Sequence, residues 1–227
     1  MTATTIWKSL MAFSSLAAGI ALAGLPQASV AAAKGDEIVI VAFGDSLTAG
    51  YQLPPDAAFP VQLEKALRDK GHNVRVMNAG VSGDTSAEGL ARLDWAMPEK
   101  ADAVILELGA NDALRGIPVA RTKEALGEIL SRLKARDVAV LLAGMEAPRN
   151  WGEDYVEAFS AMYKSLAEEH GAKLYPFFLD GVALQPSLSL PDGLHPNAQG
   201  VAEIVKRILP SVEALIAAVK EKRGKPS

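Results

Sequence analysis

From residue 38 onward the hydrophobic pattern switches between two periods. Short runs without a polar break, the first being Ile-Val-Ile-Val-Ala-Phe at 38–43, alternate with stretches whose apolar residues recur at i, i+4 and i+7. The first kind reads as a strand buried on both faces and the second as an amphipathic helix, so their alternation predicts a series of βαβ units. Phe59, Leu63, Ala66 and Leu67 share a helix face that Gly71 closes. A second strand covers 74–77 and ends at Asn78-Ala79-Gly80. Thr85 with Glu88 three residues on fits a capping box, opening a helix with Leu90, Leu93 and Met97 that runs up to Pro98. The third strand, 103–108, enters the loop Gly109-Ala110-Asn111-Asp112. Pro118 fits the first turn of a helix carrying Val119, Leu126, Ile129, Leu130 and Leu133, and 138–143 is the fourth strand. Tyr155, Phe159, Met162, Tyr163 and Leu166 mark a helix that stops at His170-Gly171, before a shorter fifth strand at 173–178. Asn197 is a fitting N-cap for a last helix with Val201, Ile204, Val205 and Ile208, which Pro210 is expected to kink or split. The basic end, 220–225, reads as a solvated tail. Five strands in strict alternation with helices predict an α/β fold, a three-layer α/β/α sandwich on a parallel sheet with right-handed crossovers.

Composition narrows this to one globular domain. The chain has 227 residues, 49% of them hydrophobic and 22% charged, which excludes a disordered or fibrous protein. A net charge of -4, without Lys/Arg runs among aromatics, argues against nucleic-acid binding. The absence of cysteine removes disulfides, thiolate metal sites and cysteine nucleophiles. The first 33 residues differ from the rest: Lys8 is their only charge, 10–25 is weakly apolar, Pro26 breaks the run, and 28–33 offers small residues for cleavage. This is the layout of a secretory signal peptide, and the sixteen residues of 10–25 fall short of the ~20 that span a bilayer. The expected division is therefore a signal at 1–33 and one domain at 34–227. Losing Lys8 takes the charge from -4 to -5. The mature protein is expected in the periplasm or secreted, as a monomer without stable membrane insertion.

The candidate chemistry starts at Gly44-Asp45-Ser46-Leu47, which follows the first strand and puts a serine at its carboxyl end, the edge where open α/β sheets bind ligands. Gly44 permits a sharp turn there, and Gly50 and Pro54-Pro55 keep the next segment a loop. The positions two away from Ser46 are Gly44 and Thr48, so this is not the G-x-S-x-G elbow of an α/β-hydrolase. A nucleophilic serine needs a base in reach and a third group to orient that base. Of three histidines, His72 lies in a turn before a strand and His170 at a helix C-terminus, where a cation complements the dipole. His195 remains, in Pro191-Asp192-Gly193-Leu194-His195-Pro196, on the same sheet edge as Ser46. Asp192, three residues earlier, can reach its Nδ1 and turn Nε2 toward the serine. Oxyanion donors are available from the loops after strands two and three: the Gly83 N–H and the Asn111 amide, with the Ser46 N–H as a third. Asp45 and Asp112 are read as groups that hold loop backbone rather than as acids, and Trp151 as an anchor of its loop rather than a pocket wall.

Together, Gly44-Asp45-Ser46-Leu47, Gly83, Gly109-Ala110-Asn111-Asp112 and Asp192-Gly193-Leu194-His195-Pro196 resemble the SGNH (GDSL) hydrolase family, in order and spacing, from Ile38 to about Leu209. Ser82-Gly83-Asp84-Thr85-Ser86 and Leu114-Arg115-Gly116 are most similar to its periplasmic acyl-thioesterase, lysophospholipase and arylesterase branch; Ala110 stands where some relatives carry glycine. The resemblance implies a flavodoxin-like sheet of order 2-1-3-4-5 and a serine esterase that hydrolyses small acyl esters or thioesters through an acyl-enzyme, without metal or cofactor. A carbohydrate or peptidoglycan O-deacetylase could use the same site. More exposed aromatics would be expected there than a chain with three Trp provides, one of them, Trp7, in the leader. A non-catalytic flavodoxin-like binding module is the other alternative, though 44–50 is a poor phosphate cradle.

Overall fold

In the computed structural model, which describes residues 37–224, β1 (Ile38–Gly44) and β3 (Ala103–Glu107) are buried along their whole length. β2 (Val74–Gly80) alternates buried and exposed positions at its start, and β5 (Lys173–Tyr175) is short and partly exposed. Position in the sheet produces this contrast, because a central strand is covered on both faces while an edge strand turns one flank to water. With β4 (Ala139–Ala143) the strands form one parallel sheet of order β2-β1-β3-β4-β5, as expected. The segment read as a signal peptide lies outside the described residues.

The order dictates where the helices go. α2 (Phe59–Asp69) carries the chain from β1 to β2, and α3 (Ser86–Ala96) carries it back past β1 to β3. Two right-handed crossovers in opposite directions put these helices on opposite faces. α5 (Val119–Ala135) packs against α3 and against α6 (Glu153–His170), whereas α7 (Ala198–Arg223) packs on α2. The loops leaving β1 and β3 therefore part to opposite faces and open a crevice at the strands' carboxyl ends.

Local expectations are corrected in four places. β5 stops at Tyr175 rather than continuing to Phe178, because Pro176 has no N–H for the ladder; Phe178 N instead donates to the Gly144 carbonyl at 2.9 Å. Of the kink or split expected at Pro210, the split does not occur: α7 runs as one element through it. Val201, Ile204, Val205 and Ile208 before the proline and Val212, Leu215, Ile216 and Val219 after it are all buried. At about 1.5–3 kcal/mol per buried side chain, they outweigh the ~3 kcal/mol cost of an internal proline. Lys220 to Arg223 belong to this helix rather than to a free tail: Lys222 Nζ lies 2.5 Å from Asp137 Oδ1 and Arg223 Nη2 lies 2.7 Å from Asp102 Oδ1. The stretches expected as loops after β1 and β3 contain short helices, α1 (Ser46–Ala49) and α4 (Ala110–Leu114). No helix of the described residues is long and apolar enough to cross a membrane.

Candidate active site

Gly44 ends β1, and nothing larger fits: a Cβ there would sit 2.5 Å from both the carbonyl oxygen and Oε2 of Glu107. The chain then turns into α1, whose N-cap is Asp45 with a carboxylate oxygen accepting from Leu47 N at 3.0 Å. Ser46 is the first helical residue, 9% exposed, on the floor of the crevice rather than on an open loop.

The opposite wall is the loop before α7. Leu190 N donates to the His195 carbonyl at 2.7 Å and Gly193 N to the Leu190 carbonyl at 2.9 Å, closing a tight turn with Gly193 at φ 68°. Asp192 Oδ1 accepts from the backbone N–H of Leu194 at 2.9 Å and of His195 at 3.0 Å. Its other oxygen, Oδ2, lies 2.6 Å from His195 Nδ1, and His195 Nε2 lies 2.9 Å from Ser46 Oγ. The backbone N–H of His195, helped by that of Leu194 and by the imidazole, holds the Asp192 carboxyl down to about 2. An ionised Asp192 favours the tautomer with its proton on Nδ1, which leaves Nε2 free to accept from the serine. The Tyr51 ring rests on the imidazole, centroids 4.5 Å apart.

Asn111 lies in α4, not in an open loop, and its Nδ2 donates to Asp45 Oδ2 and to the Asp84 carbonyl, both at 3.0 Å. Both amide hydrogens thus have acceptors before any substrate arrives. Gly83 sits in the turn after β2 at φ 91°, and Arg115 Nη2 donates to its carbonyl at 2.8 Å. The pairing of Gly44 with Gly80, continued by Val81 N donating to the Gly44 carbonyl at 3.0 Å, brings that turn beside the turn of Ser46. The backbone N–H groups of Ser46 and Gly83 donate to no acceptor among the described residues. Ser46, Asn111 and His195 line one cleft of about 530 Å³, whose remaining wall includes Leu47, Leu114, Met145, Phe177 and Val182; Gly83 is not in that wall. A volume of this size is typical of clefts that enclose small ligands. Trp151 packs on Gly116 and, at 6.2 Å between rings, beside Tyr155. Asp112 accepts from Ser86 N at 2.8 Å, Ser86 Oγ at 2.6 Å and Thr122 Oγ1 at 3.1 Å, joining α4 to the starts of α3 and α5.

Two residues beneath the site were not singled out by sequence reasoning. Arg92 is buried; it donates to the Asp84 carboxylate, to the Ala79 carbonyl at 3.0 Å and to the Gly44 carbonyl at 2.8 Å, with its guanidinium 4.2 Å over the Phe43 ring. It ties the ends of β1 and β2 to the Gly83 turn. Glu107 is fully buried, accepts from Thr48 Oγ1 at 2.8 Å and Asp45 N at 3.4 Å through Oε2, and has no partner for Oε1 among the described residues. Both left a signal: Arg92 falls three residues after Gly89 on the inner side of its helix, and Glu107 is the one charge in the run Ala-Val-Ile-Leu-Glu-Leu.

Burial, and then the charge of Asp45, push the Glu107 carboxyl well above its ordinary value of 4.5. Above that value the unfolded chain releases a proton that the folded chain keeps. The contribution of Glu107 to stability is therefore greatest in acid and falls as pH rises toward the folded value. Glu107→Gln needs no proton, and is expected to gain on the wild type as pH rises from about 5 to about 8. The gain is ~1.4 kcal/mol for each pH unit in which only the folded form stays protonated. Thermal melts at the two ends of that range check this, and a difference that does not grow with pH counts against a neutral Glu107.

Comparison with known proteins bears on what this geometry serves. Residues 42–202 match the model of the GDSL-like Lipase/Acylhydrolase family. The chain is 42% identical over 167 residues to Thioesterase 1/protease 1/lysophospholipase L1 of Escherichia coli (strain K12), covering 73% of this chain and 78% of that protein. It is 39% identical over 183 residues to an arylesterase of Vibrio mimicus, covering 79% and 91%. Among solved structures, AlinE4, described as an SGNH-hydrolase family esterase, aligns with a TM-score of 0.68 at 46% identity, covering 80% of this chain and 98% of that one.

Proposed function

The chain belongs to the GDSL-like lipase/acylhydrolase family and is a serine ester hydrolase, and from that premise we propose that Ser46, His195 and Asp192 are its catalytic triad and that it acts, exported and as a monomer, on carboxylic esters and acyl thioesters. The observation that carries this reading is the unbroken contact from Ser46 Oγ through His195 at 2.9 Å to Asp192 at 2.6 Å. Ser46 Oγ attacks the acyl carbon while its proton passes to His195 Nε2, and Asp192 faces the Nδ1–H of the imidazolium that forms. The tetrahedral oxygen is met by the N–H groups of Ser46 and Gly83 and by the Asn111 amide. A charged oxygen forms hydrogen bonds roughly twice as strong as a neutral carbonyl does, so it can draw the Asn111 hydrogen away from the Asp84 carbonyl. His195 then protonates the leaving alcohol or thiol, and water repeats the sequence on the acyl-enzyme.

The apolar cleft beside Ser46 suits the acyl chain, and the names of the relatives support aryl esters, thioesters and lysophospholipids as substrates. Export rests on the pattern of residues 1–33, with destination in the periplasm or beyond. The reading is tested on protein recovered from the periplasmic fraction, with p-nitrophenyl esters from acetyl to long acyl chains, an acyl-CoA and a lysophospholipid. Turnover that rises beyond acetyl is expected, together with an intact mass lacking residues 1–33. Activity confined to acetyl esters would favour the O-deacetylase, and a mass that retains Met1 counts against signal cleavage.

A further inference from the structure

Asp45 is fully buried between the nucleophile's turn and α4, and its two carboxylate oxygens have different partners. Oδ1 accepts from Leu47 N at 3.0 Å and so caps the turn that presents Ser46; Oδ2 accepts from Asn111 Nδ2, also at 3.0 Å. Resting on the oxyanion role proposed above for Asn111, we propose that Asp45 is a positioning residue for the reaction: its carboxylate holds the Asn111 amide with Nδ2, not Oδ1, beside the turn of Ser46, so that nucleophile and oxyanion donor are set by one group.

The chemistry of the two contacts favours a carboxylate. Both partners of Asp45 are donors, and an ionised carboxyl group offers a strong acceptor to each with no proton of its own to place. An asparagine at 45 has one acceptor oxygen, so whichever way it turns, its NH₂ faces either Leu47 N–H or the Asn111 amide. The second arrangement favours a flipped Asn111, with its oxygen where the donor should be. The surroundings keep Asp45 in place and charged. Glu107, from β3, accepts from Asp45 N, and burial together with the charge of Asp45 pushes its carboxyl well above its ordinary value, which favours a neutral Glu107 beside a charged Asp45. Burial raises Asp45 itself to about 6, opposed by the Leu47 and Asn111 hydrogen bonds and by His195 from the loop before α7. Asp84, in the turn after β2, also faces it, but its charge is taken up by Arg92 of α3.

The test is a cycle of Asp45→Asn with Asn111→Ala, reading kcat and KM on p-nitrophenyl butyrate and the thermal midpoint. Asn111→Ala alone is expected to lower kcat about 10²- to 10³-fold, and Asp45→Asn alone about 10- to 100-fold with KM almost unchanged. The double variant should lose much less than the product of the two single losses, because most of the effect of Asp45 on the rate passes through Asn111. Losses that multiply in the double variant, or an Asp45→Asn enzyme with wild-type kcat beside a slow Asn111→Ala, overturn the proposal. A wild-type rate in Asn111→Ala removes the oxyanion assignment first, and the proposal with it. Should Asp45→Asn not fold, the contact is read with Asp45 intact, in a His195→Ala enzyme that has no imidazole beside the amide. There the Asn111 side-chain amide resonances, identified by their loss in Asn111→Ala, are expected to move as Asp45 titrates, at a pH above about 6 because the imidazole that lowers its carboxyl is gone. Resonances that stay fixed overturn the proposal.

Discussion

Ser46→Ala is expected to lower kcat/KM for ester hydrolysis by about 10⁴-fold or more, the largest single effect in the molecule. The substitution removes the one atom that bonds to the acyl carbon. What remains, the donors of the oxyanion site and the apolar cleft, still binds substrate, so KM should change little. Stability should also change little, for a reason visible in the turn itself. The cap of α1 is made by the Asp45 side chain and the Leu47 N–H, and among the described residues the partner of Ser46 Oγ is His195. Alanine is also a better helix former than serine at the position it takes. A thermal midpoint within a few degrees of wild type, with activity lost, is the outcome that assigns Ser46 as nucleophile; near-normal turnover by the purified variant rules that assignment out.

The proposed triad could be put together from the sequence because its parts carry local signals. Asp192 and His195 are three residues apart, and only three histidines had to be weighed. The layer beneath it was not legible, because its bonds join residues far apart in the chain. Asn111 meets Asp45 across 66 residues, Thr48 meets Glu107 across 59, and Arg92 meets the Gly44 carbonyl across 48. A strand end and a helix face can be recognised from periodicity, but not which polar group on one will meet which on another. The sheet order came from family resemblance, whereas the alternation of strands and helices came from the pattern alone. The misreadings share a cause. Pro210 carries a strong local preference against helix, and the buried face of α7 on both sides of it overrides that preference. Lys222 and Arg223 look like a free tail until the sheet's amino edge supplies Asp137 and Asp102 as partners.

The environments of Asp45 and Asp192 push their carboxyls in opposite directions, which separates their roles. Asp192 is held near 2 by backbone N–H groups, so it stays ionised from about pH 5 to 8 and its effect on His195 is constant there. A pH-rate profile between about 5 and 8 therefore contains no step from Asp192. Its contribution appears only on substitution, and Asp192→Asn is the informative change. Oδ1 accepts from two backbone N–H groups, so an asparagine must keep its oxygen there and turn its NH₂ toward His195 Nδ1. Nδ1 then accepts, the imidazole proton moves to Nε2, and Nε2–H meets Ser46 Oγ as a donor, unable to take its proton. The fold of the loop survives while the base is in the wrong tautomer, and kcat is expected to fall about 10³- to 10⁴-fold with an unchanged thermal midpoint. Asp192→Ala should be as slow but also less stable, because the turn at Gly193 loses both of its side-chain bonds. An Asp192→Asn enzyme that keeps a tenth of wild-type kcat would mean that the imidazole is oriented from elsewhere, and the Tyr51 ring tilted against it would then be the group to substitute.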